Sequence, residues 1–91
     1  MAEINYKYRE DLVHNLTQIQ NEKNMRKFLE ALLTLDESDE LSRRFQILKR
    51  LVKGQTHRKI SADLNASIAT VSRGAGEIKK MGDSVKKMIQ L

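Results

Sequence analysis

The 91-residue chain has no cysteine, no proline and no tryptophan, and its only aromatics are two tyrosines and two phenylalanines. Without cysteine there is neither a disulfide framework nor a cysteine zinc site, and the composition suits a reducing compartment, the cytoplasm. So few aromatics speak against stacking of single-stranded nucleic acid or RNA bases as the main binding mode. No apolar run approaches the roughly 20 residues needed to cross a bilayer. The opening MAEINYKYRE lacks the apolar core of a signal peptide, so no membrane partner is expected. Catalytic groupings are missing too. There is no Ser–His–acid arrangement. The acid pair Asp36 and Asp39 has no third ligand or general base nearby in sequence, and His14 stands alone. The chain is therefore not expected to be an enzyme, and no catalytic or metal-ligating residue is assigned.

Charge is what the chain does have, unevenly placed. Residues 1–42 carry five Lys/Arg and nine Asp/Glu, a net −4, whereas residues 43–91 carry twelve and three, a net +9. An acidic half joined to a basic half suggests a body and a head that faces a polyanion. The length allows a single domain, 1–91, with a modest core that dimerisation would supplement.

Helical spacing runs throughout, with no strand pattern of useful length. Residues 1–5 are expected to fray. From residue 6 to about 20, Tyr8, Leu12, Val13, Leu16 and Ile19 form an apolar stripe. NEKN at 21–24 reads as a break. A second helix over 25–33 carries Met25, Phe28, Leu29, Leu32 and Leu33, more apolar surface than one narrow face of a small monomer can bury. TLDESDE at 34–40 is an acidic helix entry, favoured by the backbone dipole. A third helix over about 37–53 has Leu41, Phe45, Ile47, Leu48, Leu51 and Val52 on its apolar side, and Gly54 as its stop. Its polar side bears Arg43, Arg44, Lys49, Arg50 and Lys53, some of them suited to phosphate contact.

The most informative stretch is THRKISADLNASIATVSRGAGEIKK, residues 56–80. Thr56 is a candidate N-cap, because its oxygen can accept from free first-turn amides. Ile60 and Leu64 form a buried edge. Asn65 suits a sharp turn because Asn tolerates the left-handed conformation. Ser67 can cap a second helix striped by Ile68, Val71 and Ile78. Small residues Ala66, Ala69, Gly74, Ala75 and Gly76 would let the two helices approach closely. Ser67, Thr70, Ser72, Arg73, Lys79 and Lys80 are left facing outward, and such groups can bond base edges and phosphates. The stretch reads as a helix-turn-helix whose second helix suits a DNA major groove. After a break at Met81-Gly82, Asp83 is expected to cap a short sixth helix with Val85, Met88, Ile89 and Leu91 apolar. The expected division is 1–53 for dimerisation helices, 54–80 for the reading head and 81–91 for the C-terminal helix.

The chain from Leu33 to Lys79 resembles the tryptophan repressor family. The residues that carry this are LTLDESDELSRRFQILKRLVKG, then THRKI, and above all NASIATVSRGAGEIK. The resemblance implies an all-α, six-helix, intertwined homodimer. It also implies a transcriptional repressor that binds a palindromic double-stranded operator, its two recognition helices roughly 34 Å apart. L-tryptophan, a small amino-acid corepressor, is implied as the ligand that sets the angle of the reading head. By position, Arg44 and Arg73 look like the two guanidinium groups that flank the indole, one of them also holding the carboxylate. Thr34, Thr70, Gly74 and the backbone near Leu33 and Leu35 match other pocket positions. Arg suits both tasks, since it stacks on aromatic faces and binds carboxylate in bidentate fashion.

For DNA, the family's contact positions fall on His57 and Arg58, on Ser67, Ile68, Ala69, Thr70 and Ser72, and on Lys79 toward phosphate. Arg58 can bridge guanine O6 and N7, and Ile68 and Ala69 can meet a thymine methyl. The sequence departs from the pattern in three places. Glu77 replaces a Ser that helps to receive the ligand's ammonium. A carboxylate there can pair with that ammonium, or bond Arg73 and close the pocket. The segment after Gly54 is one residue shorter than in tryptophan-responsive members, and His57 replaces a common Gln. Two alternatives stand beside the corepressor-controlled repressor: a ligand-independent DNA-binding regulator of the same fold, and a basic helical interaction module.

Overall fold

The computed structural model describes the backbone from residue 2 to 91 and the side chains from residue 5 to 91. It contains six helices and, among the described residues, no strand: α1 (Ala2–Gln18), α2 (Glu22–Leu32), α3 (Leu35–Val52), α4 (His57–Leu64), α5 (Ile68–Met81) and α6 (Asp83–Met88). The all-α expectation holds. The chain divides into two compact units, residues 1–38 and residues 39–91.

In the first unit, α1 is already helical at Ala2, where a frayed end was expected; Met1 lies outside the described residues. The break before α2 is shorter than NEKN suggested. Asn21 is the N-cap, and its Oδ1 accepts from the Asn24 amide at 2.8 Å, so the helix begins at Glu22. Asn21 thus starts a helix rather than breaking one. The next helix also starts early, at Leu35, through a reciprocal capping box. Thr34 Oγ1 accepts from the Glu37 amide at 3.1 Å, and Glu37 Oε1 accepts from the Thr34 amide at 2.9 Å. The apolar stripes exist as spaced, but no residue of α2 is buried, and Leu12, Val13 and Leu32 remain exposed.

In the second unit, the core is Ile47 from α3, Ile60 from α4 and Val71 from α5, with Leu51, Leu64 and Ala66 packed around them. Helix α3 ends in a Schellman turn: the Gly54 amide donates to the Leu51 carbonyl and the Gln55 amide to the Arg50 carbonyl. That motif needs a left-handed residue, and Gly54 supplies it at φ 87°. Thr56 caps α4, its Oγ1 accepting from the Lys59 amide at 3.2 Å. Asn65 then turns the chain at φ 52°, ψ 46°. Ser61 holds that turn from both ends, its carbonyl accepting from the Ala66 amide and its hydroxyl donating to the Ala66 carbonyl. Ser67 caps α5 by accepting from the Thr70 amide at 3.0 Å.

Two expectations are corrected here. The N-cap of α6 is Gly82, which makes no side-chain cap bond; Asp83 is the first helical residue and pairs with Lys86 at 3.9 Å. Its charge still suits the helix N-terminus. Gly74 also serves a different neighbour from the one expected. A Cβ on Gly74 would meet Ile47 Cγ2 and Leu51 Cδ1, both at 3.3 Å, so Gly74 admits α3 rather than α4. A Cβ on Gly76 would meet nothing within 4 Å.

Candidate functional site

The capped turn between α4 and α5 fixes a reading surface. At its start, His57 and Arg58 open α4 and are exposed. Along α5, Ser67, Ile68, Ala69, Ser72 and Lys79 are exposed, and Ile68, at 50% exposure, is an apolar side chain offered to solvent. Burying Ile60 and Val71 behind these residues holds both helices, so their outer faces keep a set relation. His57 Nδ1 lies 3.4 Å from Ser72 Oγ, which joins the start of α4 to the second turn of α5. Thr70 is half-buried, and its hydroxyl lies 2.8 Å from Ser67 Oγ.

Not every basic residue near the head is free to meet phosphate. Arg50 Nη1 donates to Asp63 Oδ2 at 2.7 Å, and Lys59 Nζ lies 3.6 Å from the same oxygen. This carboxylate ties the end of α3 to α4. The Arg50 hydrogen bond holds the Asp63 carboxyl below its ordinary value, against a smaller opposing effect of desolvation and with further help from the Lys59 charge. The phosphate role open to Arg50 on sequence grounds is thus taken up by a structural bond. Lys49 lies 5.9 Å from the centroid of the Phe45 ring.

Beside the head is a cleft of about 460 Å³ between α3, α5 and α6. That size falls among small-molecule sites. Its apolar surface comes from Ile47, Leu48, Ile78, Met81 and Val85, and its polar edge from Glu40, Arg44, Thr70, Arg73 and Glu77, with Gly74 between. Five of the six residues expected to hold a ligand therefore border one cavity. Thr34 is not on its wall, and its hydroxyl is engaged in the α3 capping box. Glu77 does not close the cleft onto Arg73: among the described residues neither makes an ion pair. Arg44 does make one, with Glu40, its Nε 3.5 Å from Oε1. Glu40 falls within the acidic helix entry of the sequence, and its place on the cleft has one local signal, since a Glu four residues before an Arg on a helix is an ion-pair spacing.

The chain matches the family described as Trp repressor protein over residues 8–91. It belongs to that family. Among individual proteins, it is similar to the Trp operon repressor homolog of Haemophilus influenzae strain Rd, 43% identical over 61 residues, 66% of this chain and 60% of the relative. It is also similar to that of Photobacterium profundum, 42% identical over 62 residues, 67% of this chain and 60% of the relative. The Vibrio vulnificus homolog is matched over more of the chain, 38% identical over 78 residues, 84% of this chain and 72% of the relative. The matched stretch spans about 60% of the length of the first two relatives. Family membership covers the whole second unit and most of the first, so the capped reading head and the adjoining cleft both lie within it.

Proposed function

We propose that this protein is a sequence-specific DNA-binding transcriptional repressor that occupies a palindromic operator as a homodimer, under the control of a small amino-acid corepressor. The observation that carries this is the adjacency of two surfaces on one helix. Helix α5 bears Ser67, Ile68, Ala69 and Ser72 on its exposed reading side, and Thr70, Arg73, Gly74 and Glu77 on the cleft. A ligand in the cleft contacts the helix that reads DNA, so occupancy can bias the orientation of that helix. Support for dimerisation comes from apolar side chains left uncovered: Leu12, Val13 and Leu32 in the first unit, Leu41 and Phe45 in the second. A partner subunit that covered these side chains would supplement the small core of one chain.

L-tryptophan is the proposed corepressor. The relatives are Trp operon repressor homologs, and the cleft joins an apolar body to charged groups of both signs. Arg73 can hold a carboxylate, Glu77 an ammonium, and the aliphatic side chains an indole. The open cleft favours this over a ligand-independent regulator, because Glu77 leaves the space unfilled.

Calorimetric titration with L-tryptophan tests the ligand, and fluorescence anisotropy on palindromic and scrambled duplexes tests the DNA. One ligand per subunit, lost in Arg44→Ala and Arg73→Ala, together with ligand-enhanced binding to a palindrome, is the expected result. Binding to the palindrome with a flat titration would assign the ligand-independent alternative. Equal binding to both duplexes would leave only a basic interaction module.

A further inference from the structure

We infer that Glu40 sets which end of an amino-acid ligand the cleft reads; the inference rests on the ligand reading above. Glu40 stands one turn before Arg44 on α3, and both border the cleft. Its Oε1 lies 3.5 Å from Arg44 Nε, and its Oε2 lies 3.4 Å from Arg43 Nη1. The carboxylate thus bridges two guanidinium groups and covers the Nε edge of Arg44, one of the edges at which a ligand carboxylate docks in bidentate fashion. On α5, Arg73 and Glu77 face the same cleft four residues apart, and among the described residues neither has an ion-pair partner.

The charges of the cleft are therefore divided. Arg44 is paired with Glu40, whereas Arg73 and Glu77 have no ion-pair partner among the described residues. A zwitterion satisfies the free pair, its carboxylate on Arg73 and its ammonium on Glu77. Glu40 competes with a ligand's acid group for the Nε edge of Arg44 and repels any anion that lacks a compensating cation. Acids without an amino group are the ligands it discriminates against. Glu40 is thus a specificity-determining residue that favours ligands carrying an ammonium.

The test uses three ligands that differ by one group: L-tryptophan, indole-3-propionate without the ammonium, and tryptamine without the carboxylate. Each is titrated into the wild-type protein and into E40Q, with circular dichroism confirming equal helicity. E40Q is expected to tighten indole-3-propionate by roughly 2- to 5-fold, the scale of an exposed ion pair together with like-charge repulsion, to change L-tryptophan by less, and to leave tryptamine unchanged or weaker. The affinity of indole-3-propionate relative to L-tryptophan then rises, and an unchanged ratio overturns the inference. A parallel change for all three ligands, or none, overturns the inference and leaves the corepressor reading intact. Silence from all three in both proteins overturns the corepressor reading, and this inference with it.

Discussion

The side chains around the reading head are exposed, yet they differ in what they are free to do. Arg58 has no ion-pair partner among the described residues and stands at the start of α4. If it reads a guanine, Arg58→Ala will cost roughly 1–3 kcal/mol of operator affinity and relax preference at one base pair, whereas Lys79→Ala will weaken all sequences alike. Anisotropy on a panel of single-base operator variants distinguishes the two; a uniform loss for Arg58→Ala would reassign it to phosphate. Asp63 is engaged with Arg50, and its pKa is lowered below the ordinary 3.8. A depressed folded-state value stabilises the fold above the unfolded value, and that stabilisation is lost as pH falls through the folded one. Urea unfolding of wild type and Asp63→Asn should therefore differ by a constant amount near neutrality. The difference should shrink as pH drops below 3.8. Equal stability at neutral pH would show that the Arg50 bond carries no net stabilisation.

Helix ends in this chain are set by local chemistry, and their contacts by neighbours distant in sequence. Thr56, Asn65 and Ser67 were legible in the sequence because a cap or a left-handed turn depends on a few adjacent residues. Asn21 and Thr34 caps were legible in principle but read as a break and an acidic entry. The partner of Gly74 was not legible, because only the crossing of α3 over α5 brings Ile47 and Leu51 to it. The two helical glycines should respond in opposite ways. Gly76→Ala should raise stability by roughly 0.5–1 kcal/mol, since its Cβ enters open space and Ala is the better helix former. Gly74→Val should lower stability by roughly 1–3 kcal/mol through overpacking. Thermal melts of both variants provide the check, and a stabilising Gly74→Val would mean that α3 yields easily at this crossing.

At the scale of the whole molecule, charge and uncovered apolar surface set the expected partners. The net +9 of residues 43–91 predicts DNA binding that weakens linearly in log–log plots against salt, and Lys79→Ala should reduce the slope by about 1. Leu41 is 50% exposed in the single chain. In a monomer, Leu41→Glu would change stability by no more than about 0.5 kcal/mol. In a dimer that covers it, the same change should lower the melting temperature and halve the mass seen by light scattering. An unchanged mass and melting point would remove Leu41 from any interface.

The sequence by itself determined the helical class, the six elements, the capped turn and the family, because periodicity, caps and the IATVSRG segment are local patterns. Tertiary structure alone decided which charges are free. By periodicity Arg50 and Arg44 are equivalent basic residues on the polar side of one helix, and only the family resemblance sets Arg44 apart. Folding places Asp63 against the first and a cleft beside the second, with Arg73 and Glu77 at the same opening and, among the described residues, without ion-pair partners. An ion pair depends on where two chain segments come to lie within a few ångströms, and for Arg50 and Asp63, thirteen residues apart, no local spacing rule records that distance.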